Sequence, residues 1–313
     1  MQKGLYCEID EGALLRRLRH PEGKVDVVLD TDTYNEIDDQ YALAYLMLNP
    51  ERAALKAIYA APFRNGKATS AAEGMEMSYA EIRHILHLLK RDDKMADVFK
   101  GSVRFLENEQ TPVSSDAARD LAERAMQYTS ERPLYVIAIA AITNIASALL
   151  LNPQIRDRMV IVWLGGHALH WHDNHEFNLM QDVAAARIVL GCGAAVVLLP
   201  CNGVVSAFAT TEPELREQLK GKNALCDYLY HYTVQEVSAY KGMRCWSKPI
   251  WDAAAVGWLL DASFTRDELI TSPIPEYDNH WGHDSGRHLI RYVYHINRDE
   301  LFDHLFGRLA SLH

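Results

Sequence analysis

Short apolar runs alternate with longer helical patterns along this chain of 313 residues, and this alternation limits the folds that it can adopt. Runs that are apolar at consecutive positions are typical of parallel strands covered on both faces. We therefore predict an α/β fold, with a doubly wound, mostly parallel sheet flanked by helices, in a single domain over residues 1–313. The predicted strands are 25–30, 55–61, 96–100, 134–140, 159–164 and 195–199. The predicted helices are 39–48, 71–89, 116–128, 144–151, 183–190, 212–219, 225–240, 253–260 and 299–310.

The composition excludes several classes of partner. The formal net charge is -10, whereas binding to nucleic acid or to an anionic membrane needs clustered Lys and Arg side chains. We therefore expect a small-molecule substrate, with neither nucleic acid nor a membrane as partner. The five cysteines form no CxxC pair, and residues 1–10 lack the pattern of a secretory signal peptide, so we expect a reducing, cytoplasmic location.

Residues 30–39, with the sequence DTDTYNEIDD, carry five carboxylates at a predicted strand-to-helix turn. Such a cluster resists folding unless a cation neutralises it. We interpret it as a metal site, because a hard cation such as calcium takes about six to eight oxygen ligands. Capping of a helix would explain Asp38 or Asp39 alone, but it would not explain Asp30 and Asp32.

Two other motifs place aspartates in a similar pattern. A calcium loop of the EF-hand type needs Gly and Glu where this chain has Asn35 and Tyr41, and is therefore excluded. The DxDxT signature of aspartate-nucleophile phosphatases fits better, because Asp30 follows an apolar strand, although Tyr34 stands where the signature has Thr. In this alternative Asp30 would form a phosphoryl-enzyme and the cofactor would be magnesium.

The cluster resembles the DTDPGxDDAxAL signature of the inosine-uridine nucleoside hydrolase family, calcium-dependent N-ribohydrolases with an α/β fold. Further stretches resemble the family motifs GPLTNxA, MGG, EFNxxxDPEAA and HDPxA in order and spacing. They are AITNIA at 141–146, LGG at 164–166, EFNLMQDVAAA at 176–186 and WDA at 251–253. The resemblance extends in weaker form from about residue 24 to the C-terminal helix.

The resemblance implies a calcium-dependent hydrolase that cleaves N-ribosyl or related glycosidic bonds with a metal-activated water. It implies that calcium is bound by Asp30, Asp32, Asp39, the backbone carbonyl of Thr143 and the carboxylate of Asp252. Asp32 would also accept a proton from the water, as a carboxylate kept ionised by a metal can do. Asp38, Glu176 and Asn178 would bind sugar hydroxyls, and their charge would favour an oxocarbenium-like transition state.

The sequence departs from the family at the expected rim of the site. Residues 33–37 put five positions between Asp32 and the next Asp, where the family has three, and we expect the added Glu36 to face solvent. Trp251 stands where many members have a His that protonates the departing base. Indole is not a general acid, so the alternatives for Trp251 are stacking on a substrate base, as in purine-preferring members, and packing in the core.

Substrate contacts are also predicted in two loops. By its spacing to Glu176, His170 stands where the family has a sugar-binding Asn, and Asn174 is the only Asn nearby. We treat the histidines of residues 167–175 as pocket candidates and His170, His172 and His175 as replacement acids. Asn65 is the candidate for a second sugar-binding Asn. The predicted substrate-binding residues are thus Asp38, Asn65, His170, Asn174, Glu176, Asn178 and Trp251.

Three further expectations complete the sequence-based hypothesis. Residues 277–284 are rich in aromatic and imidazole groups and form either a lid or an oligomer contact. The resemblance implies a homodimer or a homotetramer. Because a fold can be kept while its substrate changes, the alternative functions are action on a different sugar substrate and binding of that substrate without turnover.

Overall fold

The computed structural model describes residues 9–243 and 245–312, so Cys7 and most of the N-terminal segment considered above lie outside the described residues. The helices are α1 Glu11–Arg17, α2 Asp38–Met47, α3 Ala71–Leu88, α4 Asp116–Arg124, α5 Thr143–Leu151, α6 Phe177–Gln181, α7 Val183–Gly191, α8 Glu212–Gln218, α9 Ala224–Lys241, α10 Ala253–Leu260 and α11 Arg298–Ala310. The strands are β1 Val25–Thr31, β2 Ala53–Ala60, β3 Val98–Lys100, β4 Leu134–Ala138, β5 Met159–Leu164, β6 Ala195–Leu199, β7 Ala209–Thr210, β8 Lys248–Pro249, β9 Thr265–Thr271, β10 Ile274–Pro275, β11 Trp281–Gly282 and β12 Leu289–Ile296.

In the described part of the chain, eight strands form the main sheet in the order β3-β2-β1-β4-β5-β6-β12-β9. All neighbours from β3 to β12 pair in parallel, and only β9 is antiparallel to its neighbour β12. Val27 and Leu29 pack into the core on one face of the sheet, whereas Val28 packs into the core on the other. The expected doubly wound α/β fold is confirmed, and burial on both faces explains the continuous apolar runs.

Strands β9 and β12 were not predicted, because neither has a continuous apolar run. Strand β9 lies at the edge of the sheet and exposes much of one face, so its sequence TRDELIT is mostly polar. Strand β12 contains buried positions such as Ile290 and exposed ones such as Leu289, without strict alternation. A strand that follows long polar loops and carries Arg291 and His295 does not show the signal of a buried parallel strand.

The chain runs from β1 outward to β2 and β3, and then returns to β4 on the other side of β1. The crevice between the carboxyl ends of β1 and β4 is therefore the topological switch point, where ligands bind in doubly wound sheets. Asp30, near the end of β1, lies in register with Ala138, the last residue of β4. The acidic cluster is placed at this crevice.

Gly101, which follows β3, supports this edge of the sheet through close packing. A Cβ atom there would lie 2.1 Å from the backbone oxygen of Ala60 and 2.5 Å from Nδ2 of Asn144. We expect Gly101→Ala to lower the free energy of unfolding by about 2 kcal/mol, because backbone must move. Urea unfolding measures this loss, and Gly66→Ala is the control because no atom lies within 4 Å of its added Cβ. Equal stability of Gly101→Ala and the wild type would contradict the expectation.

Candidate active site

Strand β1 and helix α2 together bring four aspartates to the crevice. Asp30 lies in β1, Asp32 directly follows it, and Asp38 and Asp39 form the first turn of α2. The helix N-terminus favours negative charge there. All four side chains are buried, with at most 3% of their surface exposed. Such burial is costly for carboxylates that have no cationic partner.

Asp252, which immediately precedes α10, joins this group from the other end of the chain. Its backbone N–H donates to Oδ2 of Asp38 over 3.4 Å. One carboxylate oxygen each from Asp38, Asp39 and Asp252 lie within 4.8 Å of one another. Their proximity makes the three carboxylates candidate ligands of a single cation.

Two buried oxygen atoms of the cluster have no hydrogen-bond partner among the described residues: Oδ2 of Asp30 and Oδ2 of Asp32. The other oxygen of Asp30 accepts from Nδ2 of Asn144 at 2.8 Å, and the oxygen of Asn144 accepts from the N–H of Ser102 at 2.8 Å. Asn144 thus orients Asp30. Because buried oxygens without donors are expensive, this donor set suits a hard cation, which prefers oxygen ligands.

The pKa values of the cluster lead to the same conclusion. Burial raises the pKa of Asp30 to about 7. Burial and then the charge of Asp39 raise the pKa of Asp32 well above its ordinary value, and burial followed by the charge of Asp38 does the same for Asp39 and Asp252. The metal-free cluster therefore retains protons near neutral pH, and a cation would have to replace them.

Thr143 is the first residue of α5, and a four-residue loop, 139–142, separates it from the end of β4. Its hydroxyl donates to Oδ2 of Asp182 at 2.7 Å, and Ile142 rather than Thr143 is the N-cap of the helix. The hydroxyl is therefore occupied away from the helix start. The role of the Thr143 carbonyl as a ligand stays a prediction.

A cavity of about 220 Å³ opens beside the cluster. Six carboxylates reach its wall, from Asp32, Glu36, Asp38, Asp39, Glu176 and Asp252, and no Lys or Arg is among its lining residues. The remaining lining residues are Asn35, Ile139, Leu164, His167, His175, Phe177, Asn178, Cys201, Asn202 and Trp251. Two larger clefts, of about 540 and 620 Å³, lie away from this carboxylate cluster.

Glu176 and Asn178 line the cavity, and both also hold its wall together. The carboxylate of Glu176 accepts from the N–H groups of Gly166 at 2.7 Å, Asn178 at 2.9 Å and Leu179 at 2.8 Å. Burial raises the pKa of Glu176 to about 7. Asn178 donates from Nδ2 to the backbone oxygen of Leu164 at 3.1 Å.

Three of the predicted substrate-binding residues do not lie on the cavity wall. Asn65 donates to the side-chain oxygen of Asn35 at 2.7 Å, and His170 is exposed. Asn174 is buried and accepts from the N–H of His167 at 2.7 Å. Asn65 and Asn174 therefore contact residues that line the cavity, and their direct contact with substrate stays a prediction.

The histidines of residues 167–175, which were pocket candidates, divide between the cavity wall and the surface. His167 is buried on the wall, and burial lowers its pKa. Among the three proposed acids, all of which are exposed, only His175 lines the cavity. Sequence reasoning missed Cys201 and Asn202, which follow the carboxyl end of β6, where the strand-end rule would have found them.

Glu36 faces solvent in part, as expected, with 43% of its side chain exposed. It also lines the cavity and forms an ion pair with Lys248, whose side chain is 9% exposed. Burial acts to lower the pKa of Lys248, but the charges of Asp38, Glu36 and other carboxylates raise it above its ordinary value. Nothing in the sequence indicated this ion pair, because the two residues are 212 positions apart in the chain.

These features define an α/β protein with a buried, acidic site of metal-binding type at the switch point of its sheet. The profile described as "Inosine-uridine preferring nucleoside hydrolase" matches residues 27–303. The chain therefore belongs to the inosine-uridine preferring nucleoside hydrolase family.

Individual relatives agree with this assignment. The non-specific ribonucleoside hydrolase RihC of Salmonella schwarzengrund is 28% identical over 174 residues, which cover 53% of this chain and 52% of that protein; the match thus spans about half the length of this curated relative. The structure of a purine-preferring ribonucleoside hydrolase from Gardnerella vaginalis is similar with a TM-score of 0.74 and 18% identity, covering 92% of this chain and 98% of the other. A plant nucleoside hydrolase gives a TM-score of 0.73 and 18% identity over 92% and 99% of the two chains. Both structures share the fold.

Among the described residues, no helix has the length and apolar character needed to cross a membrane.

Proposed function

We propose that this protein hydrolyses the N-glycosidic bond of nucleosides in a calcium-dependent reaction. The observation that carries the proposal is the buried carboxylate cluster, in which Asp30 and Asp32 each keep an oxygen without a hydrogen-bond partner among the described residues. Membership of the family supplies the reaction class. Together they favour a metal-assisted hydrolase over the phosphatase alternative.

The ligands in this proposal are Asp30, Asp32, Asp39, Asp252 and the carbonyl of Thr143. They are all oxygen donors, which suit calcium or magnesium and disfavour zinc. Calcium is the better candidate, because it accepts irregular sets of protein oxygens, whereas magnesium retains several waters. When bound, calcium lowers the pKa of a coordinated water and so supplies a nucleophile.

Asp32 is the proposed proton acceptor. It lies on the cavity wall beside Asp38, Asp39 and Asp252. In the reaction, the water oxygen bonds to the anomeric carbon of the sugar, and its proton moves to Asp32. The bond between this carbon and the base breaks, and its electron pair goes to the base nitrogen, which must then gain a proton.

The sugar is bound by Asp38, Glu176 and Asn178 in this proposal. Hydroxyl groups donate to carboxylate and amide oxygens, and all three of these residues line the cavity. The surrounding carboxylates stabilise positive charge that develops on the sugar ring. The negative charge of these carboxylates also repels a phosphate group, because no Lys or Arg lies on the cavity wall to balance it. A phosphatase reaction and phosphorylated substrates are therefore disfavoured.

Trp251 is the proposed stacking surface for the base. It lines the cavity and is partly buried, and an aromatic ring in this position favours the larger ring system of purines over pyrimidines. His175, at the cavity wall, is the proposed source of the proton for the departing base. Its Nδ1 lies 3.5 Å from Oδ1 of Asp173, a contact that orients the imidazole ring.

The proposal is tested with the purified protein and a panel of purine and pyrimidine ribonucleosides, assayed for reducing-sugar release. We expect release that needs added calcium, is faster with purine nucleosides and is absent with nucleoside monophosphates. Phosphate release from a phosphomonoester, lost in Asp30→Asn, would instead support the phosphatase alternative. Binding of nucleosides in calorimetry without sugar release would support a silent binding protein, and release from another glycoside would change the assigned sugar.

We also propose that the chain folds as one domain and assembles as a homodimer or homotetramer in the cytoplasm. The support for one domain is the eight-stranded sheet in the described residues, which contains strands from both halves of the chain. A single unfolding transition and the mass from light scattering test these two statements.

A further inference from the structure

Two lysines from distant segments hold the loop at residues 33–37. Lys67, between β2 and α3, donates from Nζ to the backbone oxygen of Asn35 at 2.7 Å and to that of Tyr34 at 3.4 Å. Lys248, in β8, forms an ion pair with Glu36. Loop 33–37, which is longer than the family pattern, is therefore held at its backbone by Lys67 and at the side chain of Glu36 by Lys248.

Glu236, in α9, joins the two lysines. Its Oε1 lies 2.9 Å from Nζ of Lys67, and its Oε2 lies 3.9 Å from Nζ of Lys248. Glu236 is only 8% exposed. Because a buried ion pair gains little net stability over apolar side chains of the same size, its main effect here is on geometry. We use the name lysine clamp for the group of four charged residues Lys67, Glu236, Lys248 and Glu36.

Lys248 also contacts Trp251. Its Nζ lies 4.6 Å from the centroid of the indole ring, a distance typical of a cation–π contact. Trp251 lines the cavity, whereas Lys248 does not. One buried ammonium group thus connects the loop at 33–37 to the aromatic ring on the cavity wall, and it does so from outside the cavity.

We propose that Lys248 is a positioning residue that fixes the indole of Trp251 and, through the lysine clamp, holds loop 33–37 as part of the cavity wall, thereby setting the affinity for the base. Its effect on substrate rests on the proposed function, whereas its effect on the loop does not. Lys248 touches Glu36 and Trp251, which line the cavity, and acts through them. The ligand class is a neutral nucleoside whose base stacks on an indole held in place by a cation.

The loop is tested by hydrogen exchange measured with mass spectrometry. Lys248→Met removes the charge but keeps most of the side-chain volume, and Lys248→Arg keeps the charge. We expect amides of residues 33–37 to exchange about tenfold faster in Lys248→Met, which is the factor for a 1.4 kcal/mol loss of local stability, and to return to near the wild-type rate in Lys248→Arg. The control is Lys100→Met, since Lys100 is exposed and pairs with Glu76 at 2.7 Å. An unchanged exchange rate of these amides in Lys248→Met would overturn the proposal that Lys248 holds loop 33–37.

The affinity is tested by steady-state kinetics on the best nucleoside of the panel. We expect Lys248→Met to raise KM about tenfold while kcat changes less than about threefold, because the cation–π contact is lost but the metal ligands remain. Lys248→Arg should restore KM, and in a Trp251→Leu background Lys248→Met should have little further effect on KM. An unchanged KM, or a loss confined to kcat, would overturn the positioning role.

A third variant, Glu36→Gln, keeps the proposal testable if Lys248→Met does not fold. If Lys248→Met does not fold, Glu36→Gln removes the opposite charge of the same ion pair and should increase loop exchange in the same direction. If the wild type releases no sugar, the proposed function fails, but the exchange measurement still decides whether the lysine clamp holds the loop.

Discussion

Replacement of Asp32 by alanine should lower kcat for nucleoside hydrolysis by about 10³-fold or more, since it removes both a proton acceptor and a metal ligand. Asp32 is buried, lines the cavity and has an unpartnered Oδ2 within the described residues. Its removal also relieves repulsion among neighbouring carboxylates, so the metal-free variant should be at least as stable as the wild type. Sugar release and thermal unfolding measure the two effects.

The matched control for this variant is Asp116→Asn. Asp116 lies in the first turn of α4 and forms an exposed ion pair with Arg119 at 2.6 Å, and it does not line the cavity. We expect its kcat to stay within about threefold of the wild type, because an exposed ion pair contributes little. A fully active Asp32→Ala protein would remove Asp32 from the mechanism.

Calcium should remove the loss of stability that the metal-free protein shows as pH rises. In the metal-free protein burial raises the pKa of Asp30 to about 7, and burial together with mutual repulsion also raises the pKa values of Asp32, Asp39 and Asp252. The folded state therefore binds more protons than the unfolded state, and stability is greatest below the ordinary carboxyl pKa and falls as pH rises toward 7 or above. Calcium replaces these protons and removes that fall.

The size of the calcium effect follows from mass action. At a free calcium concentration about 1,000 times Kd, folding gains about 4 kcal/mol, which corresponds to a rise in Tm of roughly 8 °C for a chain of this size. Scanning calorimetry of calcium-free and calcium-loaded protein at pH 5 and pH 7.5 measures it, with the larger gain expected at pH 7.5. Asp39→Asn is the matched control and should lose most of the gain. A Tm independent of calcium at both pH values would exclude the proposed site.

The sequence was sufficient to predict the inner part of the site because its signals are local. Asp30, Asp32, Asp38 and Asp39 lie in one turn, and the parallel strand pattern places that turn at the carboxyl edge of the sheet. Asp252 was predicted as a metal ligand only through the resemblance to the family, since an isolated Asp before a helix is more often a helix cap. The structure brings it to the cluster through the backbone contact with Asp38.

The lysine clamp and the path of the histidine loop, residues 167–175, could not be predicted, because their contacts join segments that are distant in the sequence. In the sequence, Lys248, Glu236 and Lys67 resemble ordinary surface charges. Only the fold shows that Glu236 and Lys248 are buried and that partly buried Lys67 lies beside them. His167 and His170 have the same residue type, three positions apart, yet only His167 lines the cavity. Their difference arises from the path of the loop, which composition and spacing do not encode.

The order of strands also has a consequence for synthesis of the chain on the ribosome. Strand β6 ends at Leu199, but its outer neighbour β12 begins only at Leu289. During translation the backbone groups of Val197 and Leu198, which later pair with Arg291 and Tyr292, lie on an open apolar edge while some ninety residues are still being added. Nascent or prematurely terminated chains therefore present an aggregation-prone strand, and an early nonsense mutation should yield material that needs chaperones or is degraded.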